Sequence, residues 1–168
     1  MHKVEQIRII PPEAVVLPTQ RLSPKNQVTI PREARALLTA GDVDHLRGMK
    51  HAMSKATDGE VFPILLLLTE KELQRREQRI IDDSALSAEQ RLHLVTALNG
   101  EMSMMAIDAQ HRVVLPAHFV SYLGLERDIF FVCTNTTIQV WNPDHYLRWT
   151  GQGSGPTHNP ALNAYLMI

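Results

Sequence analysis

One short segment occurs twice in this chain, and this repeat constrains the fold more than any other feature. The first copy covers residues 24–31 and the second covers residues 108–116. Each copy has a polar turn, then a strand-like alternation of apolar and polar residues, then a proline and a helix-compatible segment that ends in leucine. Aligning Pro31 with Pro116 also aligns Val28 with Val113. The chain is therefore predicted to contain two copies of one structural unit.

The composition is that of a globular protein with a sizeable core, and its charge is unevenly distributed. The 168 residues are 44% hydrophobic and 21% charged, and the formal net charge is −1, so the chain as a whole does not indicate a nucleic-acid partner. Residues 21–50 nonetheless contain six basic and three acidic residues, a net charge of +3, whereas residues 101–128 have a net charge of −2. If the partner is a polyanion, the first repeat contributes more of the attraction.

Apolar runs and capping motifs predict a small α+β fold. Residues 61–68 form an apolar run that indicates a buried strand. Thr69 opens a T-x-x-E capping box for a helix through about Ile81, and Ser87 opens an S-x-x-Q box for a helix through Leu98. We therefore expect two pseudo-repeated units of antiparallel β-hairpins with short helices, plus longer helices between and after the units.

The second unit has the more regular pattern of the two. Residues 129–133 and 137–141 are predicted to form a hairpin around a polar turn. Asn142 is a natural N-cap and Pro143 suits the first helical position, which predicts a helix through Trp149.

These elements divide the chain into five predicted segments. The polar stretch 44–59 lacks clear periodicity, and we interpret it as a loop inserted into the first unit. The Gly-, Pro- and Asn-rich residues after position 150 favour a flexible tail. The predicted segments are an N-terminal arm with edge strands (1–20), the first unit (21–81), a connecting helix (82–100), the second unit (101–149) and the C-terminal tail (150–168).

No pattern in the sequence indicates an enzyme, a cofactor site or a metal site. Cys133 is the only cysteine, and no pair of histidines has metal-ligand spacing beside a carboxylate. No serine lies in a nucleophile motif, and no phosphate-binding glycine loop follows a strand. The first ten residues lack a continuous apolar core, and the run at 61–68 is too short to span a bilayer. We therefore expect a cytoplasmic protein without a membrane or small-molecule partner.

Two groups of residues resemble a known family of bacterial regulators. The segment from Lys25 to Glu33 resembles the hairpin of AbrB-type swapped-hairpin DNA-binding domains. The D-x-x-x-R and proline of residues 107–116, the Leu-Gly-Leu at 123–125 and the strand before Asn142-Pro143 resemble the second half of MraZ, which is a fused pair of such units. The resemblance covers roughly residues 15 to 149, and its second half is the more specific.

The resemblance implies a transcriptional regulator that binds double-stranded DNA. MraZ proteins act on the gene cluster for division and cell wall, usually as repressors of their own operon, and they assemble into rings that read short repeated DNA sites. Carried over to this sequence, Arg112 contacts phosphate or guanine and Asp108 holds its side chain in place. The partners implied are double-stranded DNA in the nucleoid and further copies of this chain. The other candidate DNA-binding residues are Lys25, Gln27, Arg32 and Arg35.

The sequence departs from the family pattern at both turns. His111 stands where the family has glycine, so we expect this turn to differ in shape. In the first unit the motif positions are Ser23 and Gln27, which supply neither carboxylate nor guanidinium. Each assigned DNA contact has a structural alternative. The Asp108–Arg112 pair could serve only as a salt bridge that braces its turn, and the basic residues Lys25, Arg32 and Arg35 could form only a solvated face. The alternative function is an AbrB-like antitoxin or a MraZ-like oligomeric interaction protein with weakened DNA binding.

Overall fold

A computed structural model describes residues 17–39 and 43–151, together with Leu162 and Tyr165. These residues form strands and helices in mixed order, so the predicted α+β class is confirmed. The strands are β1 (Gln20–Arg21), β2 (Gln27–Thr29), β3 (His45–Ser54), β4 (Val61–Leu68), β5 (Ser103–Ala106), β6 (Arg112–Val114), β7 (Asp128–Cys133) and β8 (Ile138–Trp141). The helices are α1 (Arg35–Thr39), α2 (Glu70–Ile81), α3 (Ala88–Gly100), α4 (Ala117–Leu123) and α5 (Pro143–Thr150), and a 3-10 turn, Arg32–Ala34, precedes α1.

Six of the strands form one antiparallel sheet and the other two form a separate ribbon. The sheet order is β1-β7-β8-β4-β3-β5, and β2 pairs with β6. Strand β1 from the first half of the chain pairs with β7 from the second half, while β5 from the second half pairs with β3 from the first. Each half of the chain therefore contributes one edge strand of the sheet, and that strand pairs with a strand of the other half.

The interpretation of residues 44–59 as an inserted loop is wrong, because most of this segment is strand β3. Strand β3 pairs with β4 from Arg47 opposite Leu68 to Ser54 opposite Val61. Leu46 is buried in the core, while the polar residues that follow remain partly or fully exposed. Only the beginning of the strand therefore has a buried face. The sequence of β3 has little strand propensity of its own, and the segment is a strand because it pairs with the apolar strand β4.

The predicted helix starts are confirmed. The Thr69 hydroxyl accepts from the Glu72 backbone N–H at 3.2 Å and caps α2. At α3 the capping box of Ser87 and Gln90 is complete, and the Asn142 side chain accepts from the Asp144 N–H at 2.9 Å to cap α5. The box at Thr69 remains half-formed because the Glu72 carboxylate binds arginine side chains instead.

The six-stranded sheet has an apolar cluster on each face. The cluster beneath the ribbon includes Val28, Val113, Phe119 and Ile129. The opposite cluster is centred on Trp141, and α5 packs Trp149 against it. Because β4 contributes side chains to both clusters, its sequence reads as a continuous apolar run.

Most of the predicted N-terminal arm and tail lies outside the described residues, namely residues 1–16 and the tail from residue 152 apart from Leu162 and Tyr165. Within the described part of the chain, the helices are all too short or too polar to cross a membrane.

Candidate nucleic-acid interface

The two-stranded ribbon has one face in the core and one face outward. In its ladder Val28 lies opposite Val113, Thr29 opposite Arg112 and Gln27 opposite Val114. Val28 and Val113 are 3% and 1% exposed, whereas Val114 is 52% exposed. Side chains alternate between the faces of a strand, so the four residues that flank the central valines form the outer face of the ribbon.

A five-residue turn precedes each strand of the ribbon, and the two turns have the same backbone hydrogen bonds. In the turn of residues 23–27, the Ser23 N–H donates to the Gln27 carbonyl and the Asn26 N–H donates to the Ser23 carbonyl, both at 2.9 Å. In the turn of residues 108–112, the Asp108 N–H donates to the Arg112 carbonyl and the His111 N–H donates to the Asp108 carbonyl, both at 3.0 Å. We call these the first turn and the second turn.

His111 adopts the left-handed conformation that glycine favours, so the expected difference in turn shape is not observed. Its φ is 60°, and Asn26 at the corresponding position of the first turn has a φ of 62°. The His111 carbonyl accepts from the Ile30 N–H and the Asn26 carbonyl accepts from the Leu115 N–H, each at 2.8 Å. These bonds to the opposite strand hold both residues in a region that L-residues other than glycine enter at some cost.

The side chain at the start of each turn caps the turn from inside. The Ser23 hydroxyl accepts from the N–H groups of Lys25 and Gln27 at 3.2 and 3.0 Å. The Asp108 Oδ1 atom accepts from the N–H groups of Gln110 and Arg112, both at 2.9 Å. These hydrogen bonds, with the backbone of Arg112 first among them, lower the pKa of the Asp108 carboxyl.

In the second turn the capping side chain also binds a cation. The Asp108 Oδ2 atom accepts from Arg112 Nε at 2.7 Å, and the two side chains are 36% and 41% exposed. Among the described residues, no other group accepts from this guanidinium, so its two terminal nitrogens have no hydrogen-bond partner in that part of the chain. The pair therefore braces the turn and also presents a positioned guanidinium, which is the geometry that both sequence interpretations of the pair require.

The structure separates the other candidate residues into different environments. Lys25 is exposed in the first turn, and Gln27 begins β2 with its side chain partly buried. Arg32 is exposed just after Ile30, whose N–H reaches the second turn. Arg35 is only partly exposed, and its buried Nε atom has no hydrogen-bond partner among the described residues. Arg35 thus differs from the exposed cation that the sequence suggested.

Sequence reasoning missed two features of the surface. Thr29 and Val114 share the outer face of the ribbon with the candidate residues, and the alternation around Val28 and Val113 was the available signal. The helical hairpin formed by α2 and α3 also presents apolar side chains to solvent, and α3 has no buried residue. The most exposed of these side chains are Ile81, Leu92 and Leu94, at 45%, 68% and 40%.

Comparisons with known proteins identify similar chains. The family model described as "MraZ protein, putative antitoxin-like" matches residues 98–161. The "Transcriptional regulator MraZ" of Ruegeria pomeroyi is 26% identical over 126 residues, which is 75% of this chain and 75% of that protein. The protein of the same name from Beijerinckia indica is 26% identical over 128 residues, covering 76% of this chain and 73% of its own length. That from Chlorobium phaeobacteroides is 26% identical over 121 residues, covering 71% and 77%.

Proposed function

The chain resembles the MraZ family, as its sequence indicated, and from this premise we propose that it is a transcriptional regulator that binds specific double-stranded DNA. The relatives carry the name of transcriptional regulators and not of enzymes. We further propose that it acts as a repressor of its own or division and cell-wall genes, in the cytoplasm at the nucleoid.

The outer face of the ribbon is the observation that carries the proposal. The major groove of B-DNA, about 12 Å wide, admits a two-stranded ribbon. On this face Asp108 holds Arg112 through Nε, and the two terminal nitrogens, unpartnered among the described residues, suit a phosphate or a guanine edge. Lys25 adds a second exposed cation at the other turn.

The matched turns support the proposal that the chain contains two copies of one unit, residues 21–81 and 101–149. The ribbon ladder is symmetric about Val28 and Val113, and the sheet ladder between β4 and β8 is symmetric about Leu66 and Gln139. The two positions of each pair correspond in the aligned halves of the sequence. One unit and its copy would thus be related by an approximate two-fold axis through both ladders.

Strong binding by this interface requires several chains on one DNA. Each ribbon offers only a few cations, and binding through a handful of phosphate contacts is weak and falls quickly with salt. Linking several ribbons in one assembly raises the overall affinity without new contacts. The exposed apolar side chains of the α2–α3 hairpin support self-association, which we propose takes the form of a ring.

The test compares two arginine variants on duplex DNA. Duplexes selected from a random pool by the unaltered protein are titrated at several salt concentrations with Arg112→Ala and with Arg79→Ala. Arg79 is an exposed arginine in the last turn of α2, away from the ribbon. We expect Arg112→Ala to weaken binding roughly tenfold and to lower the slope of log affinity against log salt by about one ion per engaged ribbon. Arg79→Ala, whose light-scattering mass is first shown to be unaltered because α2 belongs to the proposed contact between copies, is expected to bind as the unaltered protein does. Equal binding by both variants would contradict the proposed interface.

An interaction protein is the second candidate, and the uncharged motif positions of the first turn, Ser23 and Gln27, favour it. Ser23 and Gln27 bring no charge to that end of the ribbon, while the α2–α3 hairpin exposes an apolar face. An AbrB-like antitoxin or an oligomeric scaffold would use that face for a protein partner. A stable oligomer that selects no duplex from the pool would support this candidate and contradict the first.

A further inference from the structure

We infer that the two ends of the ribbon contact DNA by different chemistry, with a carboxylate-held guanidinium at the second turn and a neutral amide beside Lys25 at the first turn. This inference rests on the proposed function and assigns distinct roles to the two turns. Guanine is the base expected opposite Arg112, and adenine is the base expected opposite Gln27.

The first step of the argument is that the two turns are the same shape. Their backbone hydrogen bonds correspond one to one, and Asn26 and His111 have φ values of 62° and 60°. Gln27 and Arg112 follow these residues and begin the two ribbon strands, opposite Val114 and Thr29 respectively. Both side chains therefore start from equivalent points on the outer face.

The second step is that Ser23 caps its turn as Asp108 does but binds no arginine side chain among the described residues. Its single oxygen accepts the two turn N–H groups, as Asp108 Oδ1 does. Asp108 has a second oxygen that binds Arg112 Nε at 2.7 Å, and serine has no such atom. A serine at this position preserves the turn but cannot orient a guanidinium, which matches the presence of glutamine four residues later.

The third step concerns what the first turn can offer instead. A glutamine amide has a donor and an acceptor side by side, the arrangement that pairs with the N6 and N7 positions of adenine. Lys25 is exposed two residues earlier in the same turn and can reach a phosphate as a point charge. The first turn therefore combines a neutral group suited to base contact with a separate cation, whereas the second turn combines both properties in Arg112.

The experiment alters each turn into the other. One variant combines Ser23→Asp with Gln27→Arg and gives the first turn the residues of the second. The matched control combines Asp108→Ser with Arg112→Gln and gives the second turn the residues of the first. A third variant, Gln27→Ala, removes the amide alone. Each is used to select duplexes from a random pool and to measure the salt dependence of binding, with circular dichroism and light-scattering mass as checks of the fold and assembly.

Gln27→Ala is expected to relax an adenine preference at one position roughly tenfold while the salt dependence stays unchanged. The first double variant is expected to select guanine in place of that adenine. Its slope of log affinity against log salt concentration is expected to become steeper by about one ion per engaged turn. The matched control, Asp108→Ser with Arg112→Gln, is expected to make this slope shallower by the same amount.

The inference is overturned if Gln27→Ala and the first double variant both select the same duplexes with the same salt dependence as the unaltered protein, because the first turn would then not touch DNA. Failure of the unaltered protein to select any duplex would instead contradict the proposed function itself.

Discussion

At the scale of single residues, the Asp108 carboxylate has two separable tasks. Its Oδ1 atom caps the backbone of the second turn, and its Oδ2 atom positions Arg112. Ser23 shows that a hydroxyl is sufficient for the first task in a turn of the same shape. The sequence motif identified the pair, but the separation of its tasks depends on which oxygen meets which hydrogen, and residue spacing does not determine that.

Asp108→Ser is therefore expected to keep the fold at nearly unaltered stability, while Asp108→Ala, which leaves both turn N–H groups without their acceptor, is expected to lower the melting temperature by roughly 2–4 °C. Thermal unfolding followed by circular dichroism measures both. Equal melting temperatures for the serine and alanine variants would show that the cap has no role in the stability of the turn.

A second residue-scale prediction concerns acid. The hydrogen bond from Arg75, together with that from Arg76, lowers the pKa of the buried Glu72 carboxyl from 4.5 to about 2. A depressed folded-state pKa contributes stability at neutral pH that is lost as the pH falls from about 4.5 toward 2. Glu72→Gln should lose roughly 1–3 kcal/mol of unfolding free energy at pH 7 and show a shallower decline below pH 4.5.

The control for this measurement is Glu77→Gln on the same helix, which should retain the full acid-dependent decline because Glu72 is intact. Denaturant unfolding at pH 7, 5 and 3 gives the free energies. An unaltered decline in Glu72→Gln would assign the acid sensitivity to other groups.

At the scale of elements, the sequence predicted those features whose cause is local. Thr69, Ser87 and Asn142 begin helices because each side chain caps its own first turn. Strand β3 was missed because its second half is mostly exposed and lacks an apolar alternation, and its pairing comes from the apolar strand β4. The exchange of β1 and β5 between the halves was also beyond the sequence, because alternation specifies the buried face of a strand and not its partner.

In strand β3, Gly48 lies close to core side chains beneath the ribbon, and its substitution tests how tightly they pack. A Cβ atom at Gly48 would lie 2.8 Å from Met105 Cε and 2.9 Å from Phe119 Cε2. Gly48→Ala is expected to destabilise the fold by about 1–3 kcal/mol because the phenyl ring of Phe119 is fixed in the core. Denaturant unfolding measures the change.

The matched control is Gly100→Ala at the end of α3, where an added Cβ meets no atom of the described residues within 4 Å. This change should be neutral or stabilising by up to about 1 kcal/mol. Gly48→Ala with the stability of the unaltered protein would mean that Met105 and Phe119 have room to move.

At the scale of the whole molecule, the ribbon and the α2–α3 hairpin are two separate surfaces with different chemistry. The ribbon presents Gln27, Thr29 and Arg112 together with Val114 on two paired strands, while α3 exposes leucines and has no buried residue. The sequence identified the first through its motif. It gave no signal for the second, because the apolar residues of α3 are spread around the helix and not aligned on one face.

Replacing both Leu92 and Leu94 with glutamate is expected to reduce the assembly to smaller species, because charged groups cannot be buried unpaired in an apolar interface. Light-scattering mass measures the change, with replacement of the exposed Lys71 and Gln74 of α2 by glutamate as a polar control. An unaltered mass for the leucine variant would place the contact between copies elsewhere.

Hydrogen–deuterium exchange of the full chain with and without a selected duplex tests the central claim most directly. We predict slowed exchange on DNA binding in residues 23–29 and 108–114, because these amides support the outer face of the ribbon, and unaltered exchange along α2 and α3. Slowed exchange along α2 and α3 with an unaltered ribbon would contradict the account, since DNA would then occupy the surface assigned here to contacts between copies.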